Sequence, residues 1–128
     1  MTHVLVVDDD PAIASLVAFK LGRMGARVSV EADGEAGLAA ARLLRPDLVV
    51  LDWMMPRMNG LEVCAALRAD ADPQVAAVPV ILLTAKAQES DVERGFVAGV
   101  TDYVVKPFSP RELVSRVTAA LPPGSLGA

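Results

Sequence analysis

Polar side chains follow four apolar runs of this 128-residue chain, at the point where each run ends. Three carboxylates held close together repel one another, and a proton or a cation must relieve the repulsion. Mg²⁺ is a natural partner, since it is bound by a few carboxylates, water and phosphate oxygens. A carboxylate can also attack phosphorus, a reaction that needs positive charge around the phosphoryl oxygens. The pattern therefore predicts a magnesium-assisted phosphoryl-transfer site built from Asp8, Asp9, Asp52, Thr84 and Lys106.

Each of these residues also has an ordinary structural explanation. The acidic stretch 8–10 favours the N-terminus of a following helix, Thr84 is a good helix cap, and Lys106 can form a static ion pair. Taken singly these explanations are the better ones, but the shared position at the ends of strands favours one site. Zinc is disfavoured because His3 and Cys64 lie far apart and neither belongs to a ligand pattern.

Five strand patterns, of which the second is short and alternating as in an edge strand, alternate with five helical patterns, which predicts a parallel sheet covered on both faces in a doubly wound α/β domain. The carboxyl ends of parallel strands form the ligand crevice of such a sheet, so the polar groups are expected to converge there. The predicted strands are residues 3–7, 27–31, 48–51, 78–83 and 102–105. The predicted helices begin at Pro11, Asp33, Gly60, Ser90 and Pro110, with a loop at 70–73.

The helical patterns also predict which side chains face the core. The fourth helix is the weakest, with only Val92, Phe96 and Val97 as apolar residues, and is expected to be the element that shifts most easily. The apolar positions of the other patterns are Ile13, Leu16, Val17 and Leu21 in the first helix, Ala36, Leu38, Ala40 and Leu43 in the second, Leu61, Val63, Cys64 and Leu67 in the third, and Leu113, Val114, Val117 and Leu121 in the fifth.

Composition narrows the class of protein. Lys and Arg number 12 against 16 Asp and Glu, a net charge of −4, and no basic run predicts nucleic-acid binding by this domain. No apolar run is long enough to cross a membrane, and no signal peptide is evident at the N-terminus. The single cysteine fits a reducing compartment. A cytoplasmic location is the expectation.

Four separated motifs resemble those of the receiver domains of two-component response regulators, the CheY-like family. The resemblance extends over roughly residues 3–121. It implies a flavodoxin-like (βα)5 fold with strand order 2-1-3-4-5, a receiver domain at 1–121, and a tail or linker to an absent effector at 122–128. The motifs are Val6-Val7-Asp8-Asp9-Asp10, Leu51-Asp52-Trp53-Met54-Met55-Pro56-Arg57-Met58-Asn59-Gly60, Leu83-Thr84-Ala85 and Tyr103-Val104-Val105-Lys106-Pro107-Phe108.

The resemblance implies a role for each site residue. Asp52 resembles the phosphoacceptor, and Thr84 and Tyr103 resemble the switch hydroxyl and its aromatic partner. Lys106 resembles the phosphate-binding lysine, with a cis peptide bond to Pro107. The Mg²⁺ ligands, for which Mn²⁺ can substitute, are implied to be Asp8, Asp9, Asp52 and the backbone carbonyl of Met54.

The resemblance also implies partners. The phosphoryl donor is expected to be a sensor histidine kinase or a phosphotransfer protein. Phosphorylation is expected to shift a face formed by the fourth helix, the fifth strand and the fifth helix, with a homodimer as one outcome, although Val92 stands where a basic partner of Glu112 is expected. Met54 and Lys86 flank the site and are candidates for controlling water access. The residues expected on the output face are Phe96, Asp102, Glu112, Val114 and Arg116.

Three other functions compete with the switch. Asp8-x-Asp10 is similar to the haloacid dehalogenase-type phosphatases, in which Asp8 would be the nucleophile, but Ala12 departs from their pattern and no cap domain fits. A flavin-binding module needs a Ser/Thr/Gly-rich phosphate loop after the first strand, where this chain has three aspartates. A receiver-like module that never takes phosphate is the third. The intact acidic set argues against this third alternative, and a non-enzymatic phosphoacceptor is the function that we expect.

Overall fold

The computed structural model describes residues 1–85 and 89–126, with the side chains of 89–91 outside that description. Lys86, Gly127 and Ala128 therefore lie outside the described residues. The strands are β1 (His3–Val7), β2 (Arg27–Glu31), β3 (Leu48–Asp52), β4 (Val80–Thr84) and β5 (Asp102–Val105). The helices are α1 (Pro11–Arg23), α2 (Gly34–Leu44), α3 (Gly60–Arg68), α4 (Pro73–Ala76), α5 (Glu89–Val97) and α6 (Pro110–Ala120).

The five strands form one parallel sheet in the order β2-β1-β3-β4-β5. This confirms the predicted fold class and strand order. Val7 pairs with Leu51, and Asp52 pairs with Leu83. The central strands therefore end at nearly the same level, which brings their following residues together.

The sequence interpretation missed α4, which begins within the predicted loop at 70–73. The Asp72 carboxylate caps this helix by accepting a hydrogen bond from the Gln74 N–H at 3.0 Å, and Pro73 stands at its first position, where proline costs no hydrogen bond. The turn that closes α4 runs through Val78, so β4 begins at Val80 and not at 78. The predicted fourth and fifth helices are accordingly α5 and α6.

Alternate residues of the strands feed two apolar layers, one under α2 and α3 and one under α1 and α6. The prediction of a core position is wrong for two residues, because Leu16 is 41% exposed and Leu43 is 82% exposed. In α2 the inward face is made of small residues, because a Cβ at Gly37 would lie 2.7 Å from the Val7 methyl groups. The helix packs close to β1 by its backbone, and the larger Leu43 is left outside.

The tail turns back onto the domain instead of leaving it directly. The Thr2 hydroxyl donates to the Ser125 carbonyl oxygen at 2.6 Å, and Leu126 packs against the layer under α1 and α6. Within the described ranges, no helix has both the length and the apolar character needed to cross a membrane.

Candidate functional site

The predicted site residues converge at the carboxyl edge of the sheet. Asp52 and Thr84 are the last residues of β3 and β4. Asp8 follows β1 and Lys106 follows β5, and both are held by backbone bonds to a neighbouring strand. The Asp8 N–H donates to the Glu31 carbonyl oxygen at 3.1 Å, and the Lys106 N–H donates to that of Thr84 at 2.7 Å. The sheet itself therefore places these four side chains.

Three carboxylates form an acidic cluster. One oxygen from each of Asp8, Asp9 and Asp52 lies within 4.8 Å of the others. Asp8 and Asp52 are only 2% and 5% exposed, whereas Asp9 is exposed. The Asp8 Oδ1 accepts a hydrogen bond from the Asp10 N–H at 2.9 Å, which fixes the orientation of that carboxylate. A set of hard oxygen donors, buried on one side and open on the other, fits Mg²⁺.

The Lys106 ammonium lies against two of these carboxylates. Its Nζ is 3.1 Å from the Asp52 Oδ1 and 3.4 Å from the Asp8 Oδ2. Burial lowers the pKa of Lys106, but the hydrogen bonds and charges of Asp52 and Asp8 outweigh burial, so the net pKa is raised and the side chain stays charged. The Lys106–Pro107 peptide bond is cis.

The carboxylate of Asp52 is costly to ionise in this setting. Its pKa is raised to about 6, mainly by burial and also by the Asp8 charge, while the hydrogen bond from Lys106 acts in the opposite direction. One ammonium thus fails to balance the charge of the cluster. A cation bound by these oxygen donors would supply a second positive charge and favour the ionised form of Asp52.

The start of α3 supports the Asp52 loop closely. Asn59 and Glu62 form a reciprocal capping box at this helix terminus, and the Gly60 N–H donates to the Trp53 carbonyl oxygen at 2.8 Å. A Cβ at Gly60 would overlap the Asp52 carbonyl oxygen and lie 2.9 Å from the Trp53 Cα. The sequence interpretation placed Gly60 at the start of the third helix but missed that glycine permits this contact. Met54 lies in the same loop with an exposed side chain.

Thr84 and Tyr103 meet at a cavity behind the acidic cluster. The Thr84 side chain is buried, and the two residues line the cavity together with Trp53 and with Val92 and Phe96 of α5. The Phe96 and Tyr103 rings are in edge-to-face contact, with centroids 6.3 Å apart. Trp53 lies within a motif named from the sequence, but its place in this wall could not be inferred, because strand periodicity ends at Asp52.

The predicted output-face residues lie apart from the acidic cluster, on α5, β5 and α6. The Arg116 guanidinium nitrogen is 3.2 Å from the Asp102 Oδ2 of the same chain. Phe96 is half exposed, and Val114 is half-buried against the core. Glu112 lies in the first turn of α6, where its N–H donates to the Ser109 hydroxyl at 3.1 Å.

Comparisons with known proteins agree with this geometry. The family model described as response regulator receiver domain matches residues 4–118. The DNA-binding response regulator MtrA of Mycolicibacterium smegmatis is 50% identical over 93% of this chain, and the regulatory protein PhoP of Bacillus subtilis, named for alkaline phosphatase synthesis, is 45% identical over 92%. The chain spans about half the length of these curated relatives, 50% and 48%.

A solved structure shows the same fold. The chemotaxis protein CheY4 of Vibrio cholerae superposes with a TM-score of 0.89 at 34% identity, over 94% of this chain and 99% of that one.

Proposed function

This chain belongs to the response regulator receiver domain family, and from that membership we propose that it is a phosphorylation-controlled switch in which Asp52 accepts the phosphoryl group. The observation that carries the proposal is the position of the Lys106 ammonium between the Asp52 and Asp8 carboxylates, at the sheet edge where β4 ends in the buried Thr84. Carboxylates, a hydroxyl and an ammonium are the groups that phosphoryl transfer to an aspartate needs.

Asp52 is better placed than Asp8 to act as the nucleophile. The Asp8 side chain has no exposed surface, and its two oxygens are directed to the Asp10 N–H and to Lys106. The Asp52 side chain keeps 7% of its surface exposed and is fixed by Lys106 at Oδ1. This supports the switch over the alternative of a phosphatase that uses Asp8.

The proposed reaction is a phosphoryl transfer to Asp52. An Asp52 carboxylate oxygen bonds to phosphorus as the bond from phosphorus to the donor, a histidine nitrogen in a sensor kinase or phosphotransfer protein, breaks, and the donor leaves with that electron pair. Lys106 would neutralise phosphoryl oxygens, and Thr84 would donate a hydrogen bond to one of them. Asp8, Asp9, Asp52 and the Met54 carbonyl would hold Mg²⁺, which supplies further positive charge when bound.

Phosphorylation would bias two states of the domain. It adds about −1.5 to −2 charge and three acceptor oxygens, and Thr84 would turn toward them and open space for Tyr103. Since both residues line the cavity against α5, that helix and the adjoining β5–α6 face would repack, which favours a homodimer or another output partner. The relatives are named as DNA-binding and transcriptional regulators; we propose a similar output for the protein that contains residues 1–121 as its receiver, with 122–128 leading toward it.

Intact-mass measurement after incubation with acetyl phosphate and Mg²⁺ tests the proposal. We expect one phosphoryl adduct on the wild type and on Glu35→Gln, a control at an exposed position of α2, and none on Asp52→Asn. An adduct that persists in Asp52→Asn but disappears in Asp8→Asn would establish the phosphatase-type nucleophile instead. No adduct on any variant, with a histidine phosphodonor tested as well, would leave the phosphate-independent module as the function.

A further inference from the structure

In the part of α5 whose side chains are described, residues 92–97, few side chains are buried. Among residues 92–97 only Gly95 is buried, Val92 is half-buried, and Phe96 and Val97 are exposed. Helix position in proteins depends mainly on packing of an apolar face. Contacts other than apolar burial therefore contribute to what holds residues 92–97 of α5 in place.

One such contact joins α5 to the loop that bears the phosphoacceptor. The Arg94 guanidinium carbon lies 5.4 Å from the centre of the Trp53 ring, within the range of an attractive cation–π contact. Trp53 directly follows Asp52 and is only 4% exposed. The contact therefore spans the short distance between the reacting residue and the helix expected to move.

Trp53 is a rigid anchor for this contact. Its N–H donates to the Leu83 carbonyl oxygen of β4 at 3.0 Å, and its own carbonyl oxygen accepts from the N–H groups of Met55 at 3.1 Å and Gly60 at 2.8 Å. A displacement of α5 would therefore stretch the Arg94 contact and leave the Trp53 backbone in place.

The contact also lies beside the cavity of the switch residues. Trp53 lines that cavity with Thr84 and Tyr103. The Phe96 ring, two residues after Arg94, is in edge-to-face contact with the Tyr103 ring. Arg94 and Phe96 thus each join α5 to a residue that lines this cavity. A rearrangement of Thr84 and Tyr103 acts directly on the wall that these contacts hold.

We propose that Arg94, through its contact with Trp53, restrains α5 in the unphosphorylated position and so lowers the affinity of the site for a phosphoryl group. This inference rests on the proposed function of Asp52. A contact that favours one of two states shifts their ratio by its own free energy, and cation–π contacts at partly exposed positions correspond to a factor of about two to ten. Arg94 acts through α5 and is a positioning residue, not a catalytic one.

The test uses Arg94→Met, which keeps the length of the side chain and removes its charge, and beryllium fluoride with Mg²⁺ as the probe. Trp53 is the only tryptophan in the sequence, so a titration followed by tryptophan fluorescence gives the probe concentration at half saturation. We expect that concentration to fall about two- to tenfold in Arg94→Met and to stay nearer the wild-type value in Arg94→Lys, which retains a cation over the ring. Loss of a positive charge near an anion site would by itself weaken binding, so the expected direction is opposite to a simple charge effect.

The matched control is Arg23→Met. Arg23 lies over the Phe19 ring on α1, with 5.9 Å from the guanidinium carbon to the ring centre, so this variant loses a contact of the same kind and the same charge elsewhere. We expect unchanged probe affinity. Amide hydrogen exchange without the probe gives a second readout: residues 92–97 should exchange faster in Arg94→Met and not in Arg23→Met.

Unchanged or weaker probe affinity in Arg94→Met, or unchanged exchange in α5, would overturn the inference. If the wild type fails to bind the probe and takes no phosphoryl group, the proposed function fails instead. The exchange comparison then still decides whether Arg94 holds α5.

Discussion

Replacing Asp52 with asparagine is expected to stabilise the metal-free protein, although it removes a partner of Lys106. Burial is the main reason that the pKa of Asp52 is raised from its usual 3.8 to about 6. Each pKa unit corresponds to ~1.4 kcal/mol, so holding this carboxylate ionised in the folded state costs about 3 kcal/mol at pH 7. A neutral asparagine would avoid that cost, and Lys106 would keep its contact with Asp8, 3.4 Å away. We therefore expect Asp52→Asn to raise the free energy of unfolding by up to about 3 kcal/mol.

The sign of the pH dependence follows from the same pKa. Because the folded state binds the Asp52 proton more tightly than the unfolded state, the charge destabilises the fold above about pH 6. The penalty declines as the pH falls through about 6 and disappears below about pH 4. The advantage of Asp52→Asn should thus be about half as large at pH 5 as at pH 7.

Urea unfolding of both proteins at about pH 7 and about pH 5, in a chelator, measures this difference. Asp102→Asn is the control, since its carboxylate pairs with Arg116 at the surface and should change stability by no more than about 1 kcal/mol. Added Mg²⁺ should stabilise the wild type more than Asp52→Asn and narrow the gap. A loss of stability in Asp52→Asn at about pH 7 would refute the reasoning, because it would show that the ion pair with Lys106 outweighs the cost of burial.

Three further predictions concern the elements that support the site. Gly60→Ala should destabilise the domain by about 1–3 kcal/mol in thermal unfolding and impair phosphorylation, because the new Cβ would overlap the Asp52 carbonyl oxygen. Gly22→Ala, which has open space around its Cβ, should instead gain about 0.5–1 kcal/mol of stability in the same assay. Cys64 should react with iodoacetamide in mildly alkaline buffer only after unfolding, because burial raises the pKa of its thiol and shields it; rapid labelling of the native protein would contradict this. Arg68→Met should lower the free energy of unfolding, measured by urea unfolding, by about 2 kcal/mol. The Arg68 guanidinium donates to the carbonyl oxygens of Gly99 at 2.9 Å and Ala76 at 3.0 Å. An unchanged urea midpoint would contradict the role of these bonds.

The candidate site was largely predictable from the sequence because parallel strands end at one edge of a sheet. Apolar runs marked the strands, and each of four was followed directly by a reactive side chain, so position along the chain translated into position in space. The motif resemblance supplied the strand order, which alternation alone leaves open. What failed were local details: Leu43 fits a helical apolar face but lies outside, since α2 packs by Gly37 and its neighbours.

Side-chain environments depended on the tertiary structure. The sequence by itself determined the alternation of strands and helices and the identity of the acids, hydroxyl and lysine, because hydrophobic period and residue chemistry are local properties. Only the fold decided that Asp52 would be buried beside Asp8, with a pKa of about 6, and that Arg94 would lie over Trp53. Burial, electrostatic coupling and contacts between elements distant along the chain arise from packing in three dimensions, which no local pattern records.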